Sequence, residues 1–115
     1  MRSKILIVIT AILLFLPVIS FCQFATVGYI YNQTLTSAST EYKVTLGQGI
    51  KAFSVQLRGA YDLRLSFTAG GTATSYITIK ADGQGIYYSP IVGWDGVLYL
   101  QCEQAGQVAE IEYWR

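Results

Sequence analysis

From residue 41 onward, polar and apolar positions alternate with a period of two. In EYKVTL, Tyr42, Val44 and Leu46 alternate with Glu41, Lys43 and Thr45. In AFSVQLR, Phe53, Val55 and Leu57 alternate with Ser54, Gln56 and Arg58. In YDLRLSFT, Tyr61, Leu63, Leu65 and Phe67 alternate with Asp62, Arg64, Ser66 and Thr68. Successive side chains of a strand point to opposite faces, so each segment predicts a half-buried strand with one wet face. Wound into a helix, the same rhythm would spread its apolar residues all round. SYITIK sets Ile77 and Ile79 inward. GVLYLQCE sets Leu98, Leu100 and Cys102 inward and Tyr99 outward. QVAEIEYW puts Ala109, Ile111 and Tyr113 on one face and Val108, Glu110, Glu112 and Trp114 on the other. TVGYIYNQ predicts a first strand, and residues 85–88 a short edge strand. The expected core is Phe53, Val55, Leu57, Leu63, Leu65, Phe67, Ile77, Ile79, Leu98, Leu100 and Ile111.

Turn residues fall where the alternation breaks: Gly47-Gln48-Gly49, Gly59-Ala60, Gly70-Gly71, Asp82-Gly83, Asp95-Gly96 and Gly106. Asp-Gly pairs favour the positive φ of tight hairpins. Short strands at this spacing predict an all-β domain, a small antiparallel β-sandwich or jelly roll of seven to eight strands, with a small barrel as runner-up. Ile50 is out of phase with Phe53, Val55 and Leu57, which predicts a bulge near Lys51. The tetrapeptide GQGI occurs at 47–50 and again at 83–86. Two related half-sheets, or convergent turn chemistry in a Gly-rich chain, both explain it.

The head of the chain breaks this rhythm. Arg2 and Lys4 precede an uncharged apolar run at 5–22, with Pro17 near its end and Ser20 and Cys22 spaced as a signal peptidase requires. Residues 1–22 therefore read as a helical signal peptide cleaved before Gln23, with 23–115 as the β-sandwich domain. The alternative is a membrane anchor: eighteen helical residues reach about 27 Å, close to a thin bilayer. A lipidated Cys22 fits less well, because Phe21 stands where a small residue is needed. The expected location is secreted or periplasmic, or membrane-anchored with the β domain outside. The membrane is a partner only if 1–22 stays attached.

Composition narrows the chemistry. Of 115 residues only 13% are charged, 14% are aromatic and none is histidine. Ordinary domains carry about 25% charged residues. Residues 23–115 hold six basic and seven acidic side chains, a net charge of −1, so a basic nucleic-acid platform is not expected. Without His there is no Ser or Cys triad built on it and no HExxH or Cys₂His₂ zinc site. Asp82 and Asp95 sit in Asp-Gly turns, Glu110 and Glu112 are solvent-facing strand residues, and the GQG turns lack a phosphate cradle's length and lysine. No enzyme, cofactor or metal is expected. Asp82, Gln84 and Asp95 offer oxygen ligands for calcium, but without the DxDxDG density of a specific site. Cys102 alone remains after the proposed cut, so a disulfide within one chain is excluded. It reads as a buried thiol, with an intermolecular disulfide as the alternative. Asn32-Gln33-Thr34 fits the N-glycosylation pattern, which matters only in a eukaryotic secreted protein.

The strongest binding signal is aromatic. GIYYSPIVGWDG carries Tyr87, Tyr88 and Trp94 around Pro90, with no charge before Asp95. Flat rings stack on sugars or anchor a protein partner, or they close the open end of a sandwich. Tyr87 and Tyr88 are adjacent, so in an extended segment they point oppositely, and at most one shares a surface with Trp94. Tyr29 and Tyr31 share a face and extend that patch or pair with a neighbouring subunit.

The stretch GAYDLRLSFTAGG…YITIKADGQGIYYSPIVGWDGVLYLQCEQAGQVAEIEYW resembles small accessory β proteins of tailed-phage particles. The resemblance is carried by Asp62-Leu63-Arg64, by Tyr76 to Ile79, by Leu98 to Gln101, and by Ala105, Gly106, Val108 and Glu110 to Trp114. It implies a structural role on a virion with no chemistry. An export head departs from that pattern, since virions assemble in the cytoplasm. Two functions are carried forward: a non-enzymatic exported structural or assembly module, phage-derived in type, and a secreted glycan- or surface-binding module using the loop aromatics. The partners are accordingly a protein surface, a glycan or further copies of the chain, and not nucleic acid.

Overall fold

The alternating segments become eight strands: β1 (Gly28–Leu35), β2 (Tyr42–Thr45), β3 (Ala52–Leu57), β4 (Leu63–Ser66), β5 (Ile77–Ile79), β6 (Ile86–Tyr88), β7 (Val97–Cys102) and β8 (Gln107–Trp114). A four-residue helical turn, α1 (Gly71–Thr74), lies between β4 and β5. The computed structural model describes residues 27–81, 83, 85–89 and 91–115. The signal or anchor reading of 1–22 and the calcium reading's Asp82 and Gln84 lie outside the described residues, as does Pro90.

The strands form two four-stranded antiparallel sheets in the orders β1-β8-β3-β6 and β2-β7-β4-β5. First pairs with last, second with seventh, third with sixth and fourth with fifth. The chain is thus one long folded ribbon whose pairs alternate between the sheets. The β3·β8 and β4·β7 ladders join neighbouring pairs within each sheet. The architecture is an all-β sandwich, and 85–88 does form an edge strand, β6.

Period two explains what lies between the sheets. Val44, Leu63, Leu65, Ile79, Leu98, Leu100 and Cys102 face inward from one sheet, and Leu35, Phe53, Val55, Ala109 and Ile111 from the other. Leu46 and Ile50 close the core from the β2–β3 turn. Ile50 is buried although out of phase, because regular pairing of β3 begins only at Ala52. Cys102 is a free thiol buried in this core.

Three expected core residues sit differently. Phe67 is 44% and Ile77 40% exposed, and Leu57 is only half-buried against the core. Inward parity buries a side chain only where the opposite sheet covers it. Ile77 lies on the three-residue edge strand β5, and Phe67 follows the last paired residue of β4.

The Gly/Thr/Ser stretch at 70–75, which begins with the expected Gly70-Gly71 turn, makes α1. The Glu41 carboxylate organises it, accepting the Gly70 N–H at 2.8 Å, the Thr72 N–H at 3.2 Å and the Thr72 hydroxyl. Helix starts leave N–H groups without partners, and a carboxylate there satisfies them. α1 lies over the outer face of β4 and β7. Ser66, outward by parity, is therefore buried, and its hydroxyl bonds the Thr68 backbone. The repeated GQGI leads into β3 at its first copy and β6 at its second, and these strands pair with each other.

Candidate functional site

The loop from 85 to 96 divides its rings between two faces. Tyr88 stands opposite Phe53 and Tyr87 opposite Ser54 in the β3·β6 ladder. Phe53 faces the core, so Tyr88 does too, and Tyr87 points outward. Tyr88 stacks on Phe53 with centroids 4.9 Å apart. Trp94 stacks on Phe53 at 4.8 Å. Phe67 meets Tyr88 and Trp94 edge-on, at 5.6 and 6.0 Å. Stacked and edge-to-face pairs at these distances are the favoured geometries of aromatic clusters. Burial raises the Tyr88 hydroxyl above its usual pKa. Tyr88 and Trp94 thus belong to a four-ring cluster that closes one end of the sandwich, with Phe67 as its wet rim. The Trp94 Nε1 is buried with no hydrogen-bond partner among the described residues. Asp95 accepts the Val97 N–H at 3.1 Å, the local turn bond expected of an Asp-Gly pair.

Tyr87 is 63% exposed and stands edge-on to Trp114, 6.2 Å between centroids. It lies on the outer face of the β1-β8-β3-β6 sheet, so the three loop aromatics do not make one continuous patch. Tyr29 and Tyr31 join neither group. Tyr29 stacks on Tyr113 at 5.2 Å beneath the Arg115 guanidinium, and the Tyr31 hydroxyl donates to Gln33 Oε1.

Both tyrosines lie on β1, an outer strand of its sheet. β1 carries no charge, and Val27, Tyr29, Ile30 and Tyr31 are all exposed, Ile30 by 76%. Edge strands are ordinarily shielded by charge, proline, bulges or a covering segment. From Ile5 to Thr40 the sequence holds no charged residue, so none of β1's own side chains brings charge to this edge.

A second concavity lies on the other sheet. In the outward rows of β7, β4 and β5, Gln101 stands beside Arg64 and Arg64 beside Thr78. Glu103, Asp62 and Lys80 follow one step along. With Tyr61 and Tyr76 they line a depression of about 380 Å³. Arg64 is fixed from three sides: its Cζ lies 4.5 Å from the Tyr76 ring centroid, its Nη1 donates to Thr72 O at 3.3 Å, and its Nη2 is 3.5 Å from Glu103 Oε1. Asp62 accepts the Ala81 N–H at 2.8 Å and pairs with Lys80 Nζ at 3.6 Å. Loop composition did not reveal this group. The outward parity of YDLR, SYITIK and LYLQCE is the signal that finds it, once β4 is known to lie between β7 and β5.

Among the described residues no three His, Cys, Asp or Glu side chains gather as a metal would need, and no helix is long and apolar enough to cross a membrane. No family model, no curated protein and no solved structure matches the chain.

Proposed function

We propose that the chain is an exported, non-enzymatic structural module that works by assembly, folded as a jelly roll of the kind phage particles use for accessory proteins. The observation that carries this reading is β1, an eight-residue outer strand with no charged side chain and with exposed Tyr29, Ile30 and Tyr31. Such an edge, about 27 Å long at roughly 3.4 Å per residue, presents outward N–H and C=O groups for pairing, apart from Thr34 O, which the Gln33 amide takes. Its fitting partner is β1 of a second copy, antiparallel across a two-fold axis, since an isologous contact needs only one self-complementary patch. The strand orders support the jelly-roll reading: the nested pairing of first with last through fourth with fifth is what rolling a four-pair ribbon produces. Jelly rolls serve as capsid and lectin domains, an argument from analogy alone. The basic, apolar head supports export.

Light scattering on the secreted protein over a range of concentrations tests the reading. A dimer or larger assembly is expected, with Ile30→Lys shifting it to monomer at unchanged melting temperature. A wild-type protein that stays monomeric at the highest soluble concentration overturns it. The loop-aromatic alternative rests on Tyr87 as its one largely exposed ring.

A further inference from the structure

We propose that the depression on the outer face of the β2-β7-β4-β5 sheet binds a neutral oligosaccharide between Tyr61 and Tyr76. This goes beyond the assembly reading and concerns the opposite sheet from β1.

Charge comes first. The depression holds two cations, Arg64 and Lys80, and two anions, Asp62 and Glu103. They are matched within the site, Arg64 with Glu103 and Lys80 with Asp62. Neither sign is left over. A polyanion would meet both carboxylates and a polycation both basic groups. The ligand these walls suit is uncharged and rich in hydroxyls, because a hydroxyl donates to carboxylates and accepts from guanidinium and ammonium groups alike. The Thr78 hydroxyl and the Gln101 amide make no hydrogen bond among the described residues, and add further donors and acceptors between the ion pairs.

Shape and rings come next. Tyr61 is 45% and Tyr76 40% exposed. In the β4·β5 register, Tyr76 falls beside Ser66, at the α1 end of the face, whereas Tyr61 lies beyond Asp62 at the other end. The rings therefore bracket the polar rows. A pyranose has an apolar C–H face and a polar rim, and an aromatic ring flanked by hydrogen-bonding groups complements both. A volume near 380 Å³ lies at the small end of the range for ligand sites, roughly 300–1,000 Å³.

Preorganisation separates this face from a merely polar surface. Arg64 is held by a ring, a carbonyl and a carboxylate, and Asp62 by a backbone N–H. Arg64, Thr78 and Gln101 stand on the paired strands β4, β5 and β7, the other lining residues flank the ends of those strands, and α1 touches the site through the Arg64–Thr72 bond. Groups fixed on rigid elements lose little freedom on binding.

Amide-resolved NMR titration of the exported protein with cellohexaose, maltohexaose, mannohexaose and chitohexaose tests the proposal, with heparin and polylysine as charged controls. At least one neutral hexasaccharide is expected to shift the amides of Arg64, Thr78 and Gln101 saturably, with an affinity unchanged by salt. Tyr76→Ala is expected to weaken it at least tenfold. Because Tyr76→Ala also removes the ring against Arg64, Gln101→Ala serves as a second variant, expected to weaken binding severalfold at an unchanged melting temperature. Three results overturn the proposal: no neutral saccharide shifts these amides at millimolar concentration, the shifts fall instead on the 85–96 loop, or heparin is the only binder and releases with salt.

Discussion

The rings of Phe53 and Trp94 lie stacked, with centroids 4.8 Å apart and 30° between their planes. Phe53 is a fully buried core residue, so the largest ring of the 85–96 loop is an extension of that core. Trp94→Ala should cost about 3 kcal/mol, the low end for aromatic truncation, because the indole is only half-buried. Tyr87→Ser, at an outward ring, should stay within about 0.5 kcal/mol of wild type. Urea denaturation of both variants checks the contrast. A Trp94→Ala protein of wild-type stability that has lost binding to a cell surface or glycan would make the loop a recognition surface.

Much of this was legible in period two. The strands, their inward faces and the opposite directions of Tyr87 and Tyr88 follow from alternation alone. Which strands are neighbours does not, because pairing is set by long-range packing. Hence the gathering of Asp62, Arg64, Tyr76 and Gln101 on one face was invisible in the chain. Phe67 and Ile77 show the same limit: parity gives a side chain's direction, and the extent of the facing sheet decides whether it is buried. α1 was missed because Gly, Thr and Ser are weak helix formers. Its start is stabilised by Glu41, some thirty positions earlier, which no local pattern reveals.

Leu65 and Leu100 stand directly opposite each other in the β4·β7 ladder, and both are fully buried. Either truncation to Ala should cost about 2–5 kcal/mol. The two losses should not add, because the second truncation enlarges a cavity already opened by the first. A double-mutant cycle by urea denaturation should give a coupling of about 0.5 kcal/mol or more. Additive losses would mean that the two side chains do not share one packing site.

Glu41 makes α1 sensitive to acid. The Thr72 hydroxyl, then the Gly70 N–H, hold its carboxyl below the ordinary 4.5. A depressed pKa favours the folded state wherever the carboxylate is ionised. Its contribution is therefore complete above about pH 4.5 and is lost as pH falls through the lower folded value. Glu41→Gln keeps one acceptor oxygen and should cost about 1 kcal/mol near neutrality. It should also flatten the fall in urea midpoint as the pH drops below about 4.5. A variant whose acid dependence matches wild type would remove Glu41 as the cause.

Gly96 is where two backbones come closest. Its φ is +78°, and a Cβ added there would lie 1.9 Å from the Gly47 carbonyl oxygen, with the Gly47 carbon and nitrogen within 3 Å. Neither side can retreat cheaply. The Leu46 N–H donates to Gly96 O at 2.7 Å, Leu46 O accepts from the Arg115 guanidinium, and Asp95 holds the Val97 N–H. Gly96→Ala therefore carries a left-handed backbone penalty of about 1–2 kcal/mol and, on top of it, the displacement of the β2–β3 turn. Gly93 separates the two effects. Its φ is +72°, and nothing lies within 4 Å of a Cβ built there. Gly93→Ala should cost only the backbone penalty, about 1 kcal/mol. Gly96→Ala should cost about 3 kcal/mol or more, in the range of backbone strain compounded by overpacking. Thermal and urea denaturation of the two variants side by side decide it. Equal losses would mean that the turns at Gly47 and Gly96 do not touch in the folded protein.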